Sequence, residues 1–255
     1  MDFEILSDTA LIRGAFYPTN SSKAPCLIVC HGMPASPRKV ETDSGYDTGN
    51  GLTYEEIAEL FVDLGIAAVI FNFRGTGAST GDYHPMGWVA DLNAVIDWVS
   101  QRPEVDLSNL GLLGSSMGAA IAIAVASGRD DIKFLITYAS PAIVSKPGDP
   151  LATIQNYRDM GIINSNGFPQ DPEEWAKEFD SIVPVELIRK ITCAYVLLVH
   201  GDADDVVPVQ SAYHLAEFAP PHAELHIQQG AGHRFRSEPK SIETILNWMG
   251  KIFAD

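Results

Sequence analysis

Two stretches of alternating apolar and polar positions open the chain, at residues 3–7 and 11–17. They predict an antiparallel hairpin at the edge of a sheet. The pattern then changes to short continuous apolar runs bounded by turn residues, at 26–30, 67–71, 110–113, 134–138 and 195–199. Such runs suit parallel strands covered on both faces. Helical spacing fills the gaps between them, at 53–64, 89–99, 117–126 and 209–218. A last strand near 224–228 precedes a helix over about 238–252, where Ile242, Ile245, Leu246 and Met249 share one buried face. Strands alternating with helices predict an α/β fold: a mostly parallel sheet with helices on both faces. No repeat, low-complexity tract or linker interrupts the pattern, so 1–255 reads as one domain.

Two stretches break the alternation. Residues 38–52 form a long Gly- and Asp-rich segment between a strand and its helix. Its spacing matches no calcium loop, and it reads as a solvated or cavity-rim loop. Residues 141–190 form an insertion between strands. Asp149-Pro150 and Asp171-Pro172-Glu173-Glu174 both read as helix starts, the second with a capping-box glutamate. Trp175, Phe179 and Ile182 then follow helical spacing. The favoured reading is a small helical cap over a site, with ordinary padding as the alternative. The aromatic and apolar residues of this insertion, Trp175 and Phe179 among them, either line a pocket or bury the insertion against the body.

Composition narrows the classes of partner. A formal net charge of −16 argues against nucleic acid and against an anionic membrane surface. No apolar run approaches the roughly 18 residues of a membrane span. The first residues carry no basic region followed by an apolar run, so no secretory signal is expected. The three cysteines are sparse, and Cys26 and Cys30 would stand about 13 Å apart on one strand, too far to bridge. A cytoplasmic location is the resulting expectation. Whether the chain is a monomer or a homodimer stays open.

The chemistry concentrates in four segments. Gly114-Ser115-Ser116-Met117-Gly118 follows an apolar run and opens a helical one. In that context Ser116, with a glycine two residues away on either side, is the candidate nucleophile at a strand-to-helix elbow. Of seven histidines, His233 lies in Gly230-Ala231-Gly232-His233, between the last strand and the last helix, and is the candidate base. His226 reads as structural, His200 as support for a turn, and His84, His214 and His222 as solvated. An acid must orient the base, and Asp202, Asp204 and Asp205 follow the 195–199 strand. Asp204 is preferred and Asp202 is the runner-up. For an oxyanion, Met117 supplies an N–H at a helix N-terminus and Met33 one from the loop His31-Gly32-Met33-Pro34. His31 reads as loop shaping, with substrate contact as the alternative.

These segments, together with Phe71-Asn72-Phe73-Arg74-Gly75-Thr76-Gly77-Ala78-Ser79, resemble the α/β-hydrolase superfamily and in particular its intracellular esterase and acyl-peptidase-like members. The resemblance runs from about residue 25 onward in the order Ser, Asp, His. It implies an eight-stranded α/β-hydrolase sheet, with Ser116, Asp204 and His233 as nucleophile, acid and base. In that family the Arg74–Ser79 segment is a structural turn, so no catalytic role falls to Arg74. The implied activity is hydrolysis of a small-molecule carboxylic ester or related acyl compound through an acyl-enzyme, with no metal or organic cofactor. Amide, thioester or perhydrolytic chemistry on the same residues is one alternative. A non-catalytic binding protein on the same fold is another. A histidine base predicts activity that rises through roughly pH 6–7.

Overall fold

The computed structural model describes residues 1–34 and 51–253. The loop read at 38–52 therefore lies almost wholly outside the described residues. Eight strands form one sheet: β1 (Asp2–Ser7), β2 (Ala10–Tyr17), β3 (Ala24–Cys30), β4 (Ala67–Phe71), β5 (Val105–Ser115), β6 (Phe134–Tyr138), β7 (Tyr195–Gly201) and β8 (Glu224–Gln228). Their spatial order is β1-β2-β4-β3-β5-β6-β7-β8. The alternating runs β1 and β2 pair antiparallel, β2 meets β4 antiparallel, and every later pairing is parallel.

The continuous apolar runs are explained by burial on both faces. Along β3, Cys26, Ile28 and Cys30 enter one core while Leu27 and Val29 enter the other. The first core packs against α2 (Pro85–Val99) and α3 (Met117–Ala126), and the second against α1 (Tyr54–Asp63) and α8 (Pro239–Ile252). Helix α1 starts at a capping box. Thr53 Oγ1 accepts from Glu56 N–H, and the Glu56 carboxylate accepts from Thr53 N–H at 2.7 Å. Among the described residues no helix is long and apolar enough to cross a membrane.

Helix α2 begins one turn earlier than its apolar spacing predicts, because His84 caps it and Pro85 opens it. This corrects the reading of His84 as a solvated side chain. Its Nδ1 lies 2.9 Å from Glu178 Oε2, and its Nε2 lies 3.0 Å from the Arg74 guanidinium. Arg74 in turn pairs at 2.7 Å with Asp91, whose side chain is fully buried. The Arg74 turn is thus structural, as its place after β4 implies.

The insertion at 141–190 folds into α4 (Pro150–Asp159), α5 (Pro172–Lys177) and α6 (Pro184–Leu187). Asp171 caps α5 by accepting from the N–H groups of Glu173 and Glu174, while the Glu174 carboxylate pairs with Lys177. Trp175 and Phe179 are correctly placed on one face, but that face is spent on the body of the molecule. Both are buried in the α2–α3 core, with Trp175 Nε1 donating to Tyr83 O at 3.3 Å. The substrate-contact reading of Trp175 and Phe179 is therefore corrected to core packing, and no described residue of 141–190 lines the cavity beside Ser116. Trp175→Ala is expected to cost about 3–5 kcal/mol of stability in a urea titration.

Candidate active site

The site follows from the sheet order. The chain leaves β3 toward β4 on one side and returns to β5 on the other, and at such a switch point the carboxyl ends of the strands leave a crevice. The register sets Cys30 opposite Gly114, so the loop His31–Pro34 stands directly beside Ser116.

Ser116 joins β5 to α3 with φ 54° and ψ −124°, a conformation that side-chain-bearing residues seldom adopt. Surrounding backbone bonds impose it. Its N–H donates to Tyr138 O at 2.9 Å, and its carbonyl accepts from Ala119 N–H at 2.9 Å. Two glycines clear the space around this elbow. A Cβ on Gly32 would lie 2.9 Å from Ser116 Cβ, and a Cβ on Gly118 would strike the His31 carbonyl. Gly118 thus clears the carboxyl end of β3 and the start of the loop that follows it.

His31 is 4% exposed. Its Nδ1 lies 2.7 Å from Gly32 O, and Phe73 N–H donates to its Nε2 at 3.2 Å. A carbonyl only accepts and an amide N–H only donates, so the ring is neutral with its hydrogen on Nδ1. These bonds fit the loop-shaping reading of His31, which also borders the cavity over Ser116. The bond fixes the Gly32 carbonyl, and the trans peptide then fixes Met33 N–H in the opposite direction. Met117 opens α3, so its N–H belongs to the first helical turn, where no intrahelical acceptor exists.

Burial pushes the His31 imidazole down to about 4 from an ordinary 6.5. Between those values the unfolded chain binds a proton that the folded chain refuses, so stability falls as pH drops through this window. The expected slope from this one group is about 1.4 kcal/mol per pH unit. Urea titrations between about pH 6 and 5 should show a steeper fall in the parent than in His31→Gln, the difference approaching that slope.

His233 lies on the turn after β8 with Nε2 2.9 Å from Ser116 Oγ and Nδ1 2.8 Å from Asp204 Oδ2. Asp204 has no exposed side-chain surface. Its Oδ1 accepts from Val206 N–H at 2.9 Å and from Val207 N–H at 2.8 Å. These two backbone donors satisfy one carboxylate oxygen and fix the plane of the group. Asp202, the runner-up for the acid, faces elsewhere and accepts from Gly230 N–H at 2.6 Å.

Two residues beside His233 carry no sequence signal for the site. Tyr138 ends an apolar strand, yet its hydroxyl donates to Gly232 O at 2.5 Å. Glu238 reads only as a helix start, yet its carboxylate accepts from Gly232 N–H at 2.7 Å. Between them they hold both polar groups of the residue before His233. The cavity over Ser116 has a volume of about 850 Å³, with Met33, Tyr54, Val206, Arg234 and Arg236 in its wall.

The prolyl oligopeptidase family matches residues 53–255 of the chain. An uncharacterized protein of Mycobacterium tuberculosis is 24% identical over 227 residues, spanning 89% of this chain and 69% of its own. The mitochondrial palmitoyl-protein thioesterase ABHD10 of Mus musculus is 23% identical over 203 residues, 74% of this chain and 66% of its own. Among solved structures, Est1E from Butyrivibrio proteoclasticus with ferulic acid bound superposes with a TM-score of 0.73 at 21% identity. That likeness covers 99% of this chain and 100% of the other, and shows a common fold. With four-fifths of its length matched, the chain belongs to the prolyl oligopeptidase family, on the α/β-hydrolase fold.

Proposed function

We propose that the protein is a serine hydrolase that cleaves a carboxylic ester or related acyl compound through an acyl-enzyme. The observation that carries the reading is the unbroken line Ser116 Oγ, His233 Nε2, His233 Nδ1, Asp204 Oδ2, with contacts of 2.9 and 2.8 Å. Asp204 keeps the imidazole hydrogen on Nδ1, which leaves Nε2 to take the Ser116 hydroxyl proton. Oγ then attacks the acyl carbon, and the carbonyl π pair moves onto oxygen. The N–H groups of Met33 and Met117 are the donors assigned to that oxyanion. Collapse expels the leaving group, which takes the proton from His233. Water repeats the sequence on the acyl-enzyme and releases the acid.

A fluorophosphonate probe tests the reading directly, since it reacts only with an activated serine. The parent is expected to be labelled on Ser116. An unlabelled parent that also leaves short acyl esters intact would sink it in favour of a binding protein. Thioester cleavage by the same groups is the second reading, supported by the similarity to a palmitoyl-protein thioesterase. Matched oxygen ester, thioester and anilide substrates separate these, with the highest kcat/KM expected on the oxygen ester.

A further inference from the structure

Asp204 touches a second imidazole. His200, the penultimate residue of β7, is 1% exposed, and its Nε2 lies 2.8 Å from Val207 O and 3.3 Å from Asp204 Oδ2. The carbonyl can only accept, so Nε2 must carry a hydrogen. Burial lowers the pKa of His200, which favours the neutral ring with its single hydrogen on that nitrogen.

The partner of this hydrogen matters. Val207 also supplies one of the two N–H groups that bind Asp204 Oδ1. His200 therefore grips the carbonyl of a residue whose own N–H grips the carboxylate, and the turn over 204–207 is held from both ends. With Oδ1 held by Val206 and Val207, Oδ2 makes the shorter contact to His233 Nδ1, 2.8 Å against 3.1 Å for Oδ1. We propose that His200 is a positioning residue for the acid: it holds the Val206–Val207 turn around Asp204 so that Oδ2 stays on the His233 Nδ1–H. The proposal rests on the Ser116–His233–Asp204 reading and adds a fourth member that never meets substrate.

A residue that acts only through Asp204 has a recognisable signature. Its loss lowers kcat and leaves KM alone, and the effect disappears once Asp204 is gone, because partners in one network do not contribute additively. The test is a double-mutant cycle of His200→Leu and Asp204→Ala on a short p-nitrophenyl ester, with His200→Gln as the conservative variant. The Gln amide keeps an N–H for Val207 O, and Leu does not.

His200→Leu is expected to lower kcat by about 10–100-fold, the scale of a reacting group displaced by a fraction of an ångström. KM should stay within about twofold, and His200→Gln should recover most of the loss. In the Asp204→Ala background, His200→Leu should cost less than about twofold more. Losses that multiply, a Gln variant as poor as Leu, or a defect carried by KM would each overturn the proposal. An Asp204→Ala enzyme with undiminished turnover would instead sink the triad reading beneath it. Should His200→Leu fail to fold, proton NMR of the parent and His200→Gln decides. Both should show the low-field His233 Nδ1–H resonance, and its loss in a folded Gln variant overturns the proposal.

Discussion

Ser116→Ala is expected to lower kcat on a short acyl ester by about 10⁵–10⁶-fold and to abolish fluorophosphonate labelling. The size of the effect comes from the chemistry rather than from binding. Removing Oγ leaves His233 with no proton to take and no nucleophile to activate, so the three-residue unit fails together. Whatever rate remains over water belongs to the oxyanion donors and the cavity. KM, where it can be measured, should change little, because Oγ is one small atom in a cavity of about 850 Å³. The backbone makes a second, opposite prediction at the same position. Ser116 holds φ at 54°, a cost of order 1–3 kcal/mol that a β-carbon aggravates. Ser116→Gly should therefore lose activity as completely as Ser116→Ala while unfolding at a higher urea concentration than either. Equal stability of the Gly and Ala variants would show that the elbow stores no strain. Activity retained by the Ala variant would remove Ser116 as nucleophile.

The frame of the molecule was largely legible because its signals are local and repetitive. A strand buried on both faces must be apolar throughout, so β3, β4 and β6 announce themselves, and the period-2 pattern of β1 and β2 marks them as the antiparallel edge. The elbow was legible because a glycine on each side of Ser116 has a steric purpose. Side chains whose partners lie far away in sequence were not legible. His84 stands in a polar stretch, and its partner Glu178 is 94 residues further on. Trp175 and Phe179 show the reverse limit. Helical spacing says that they share a face, but it cannot say whether a cavity or the body covers that face. Tyr138 and Glu238 were missed because a hydroxyl at a strand end and a carboxylate at a helix start have ordinary local explanations. Only the fold brings both onto Gly232.

Asp204→Asn is expected to lower kcat by about 10⁴-fold, whereas Asp202→Asn should cost less than about tenfold. Spacing alone ranked these two aspartates without separating them. The hydrogen bonds separate them through what an amide can and cannot do. Val206 N–H and Val207 N–H both point at Oδ1 of Asp204, so an asparagine there must present its oxygen to them. Its –NH₂ then faces His233 Nδ1, and a donor facing that nitrogen drives the imidazole hydrogen to Nε2. Nε2–H against Ser116 Oγ cannot accept a proton, so the base is disabled while every backbone contact survives. At position 202 the sole described side-chain partner is Gly230 N–H, which an asparagine oxygen accepts as well as a carboxylate does. Kinetics at one mildly alkaline pH, with urea midpoints to show that both variants fold, measure the contrast. Comparable losses in the two variants would mean that the acid loop acts as a whole and that Asp204 has no privileged hold on the tautomer of His233.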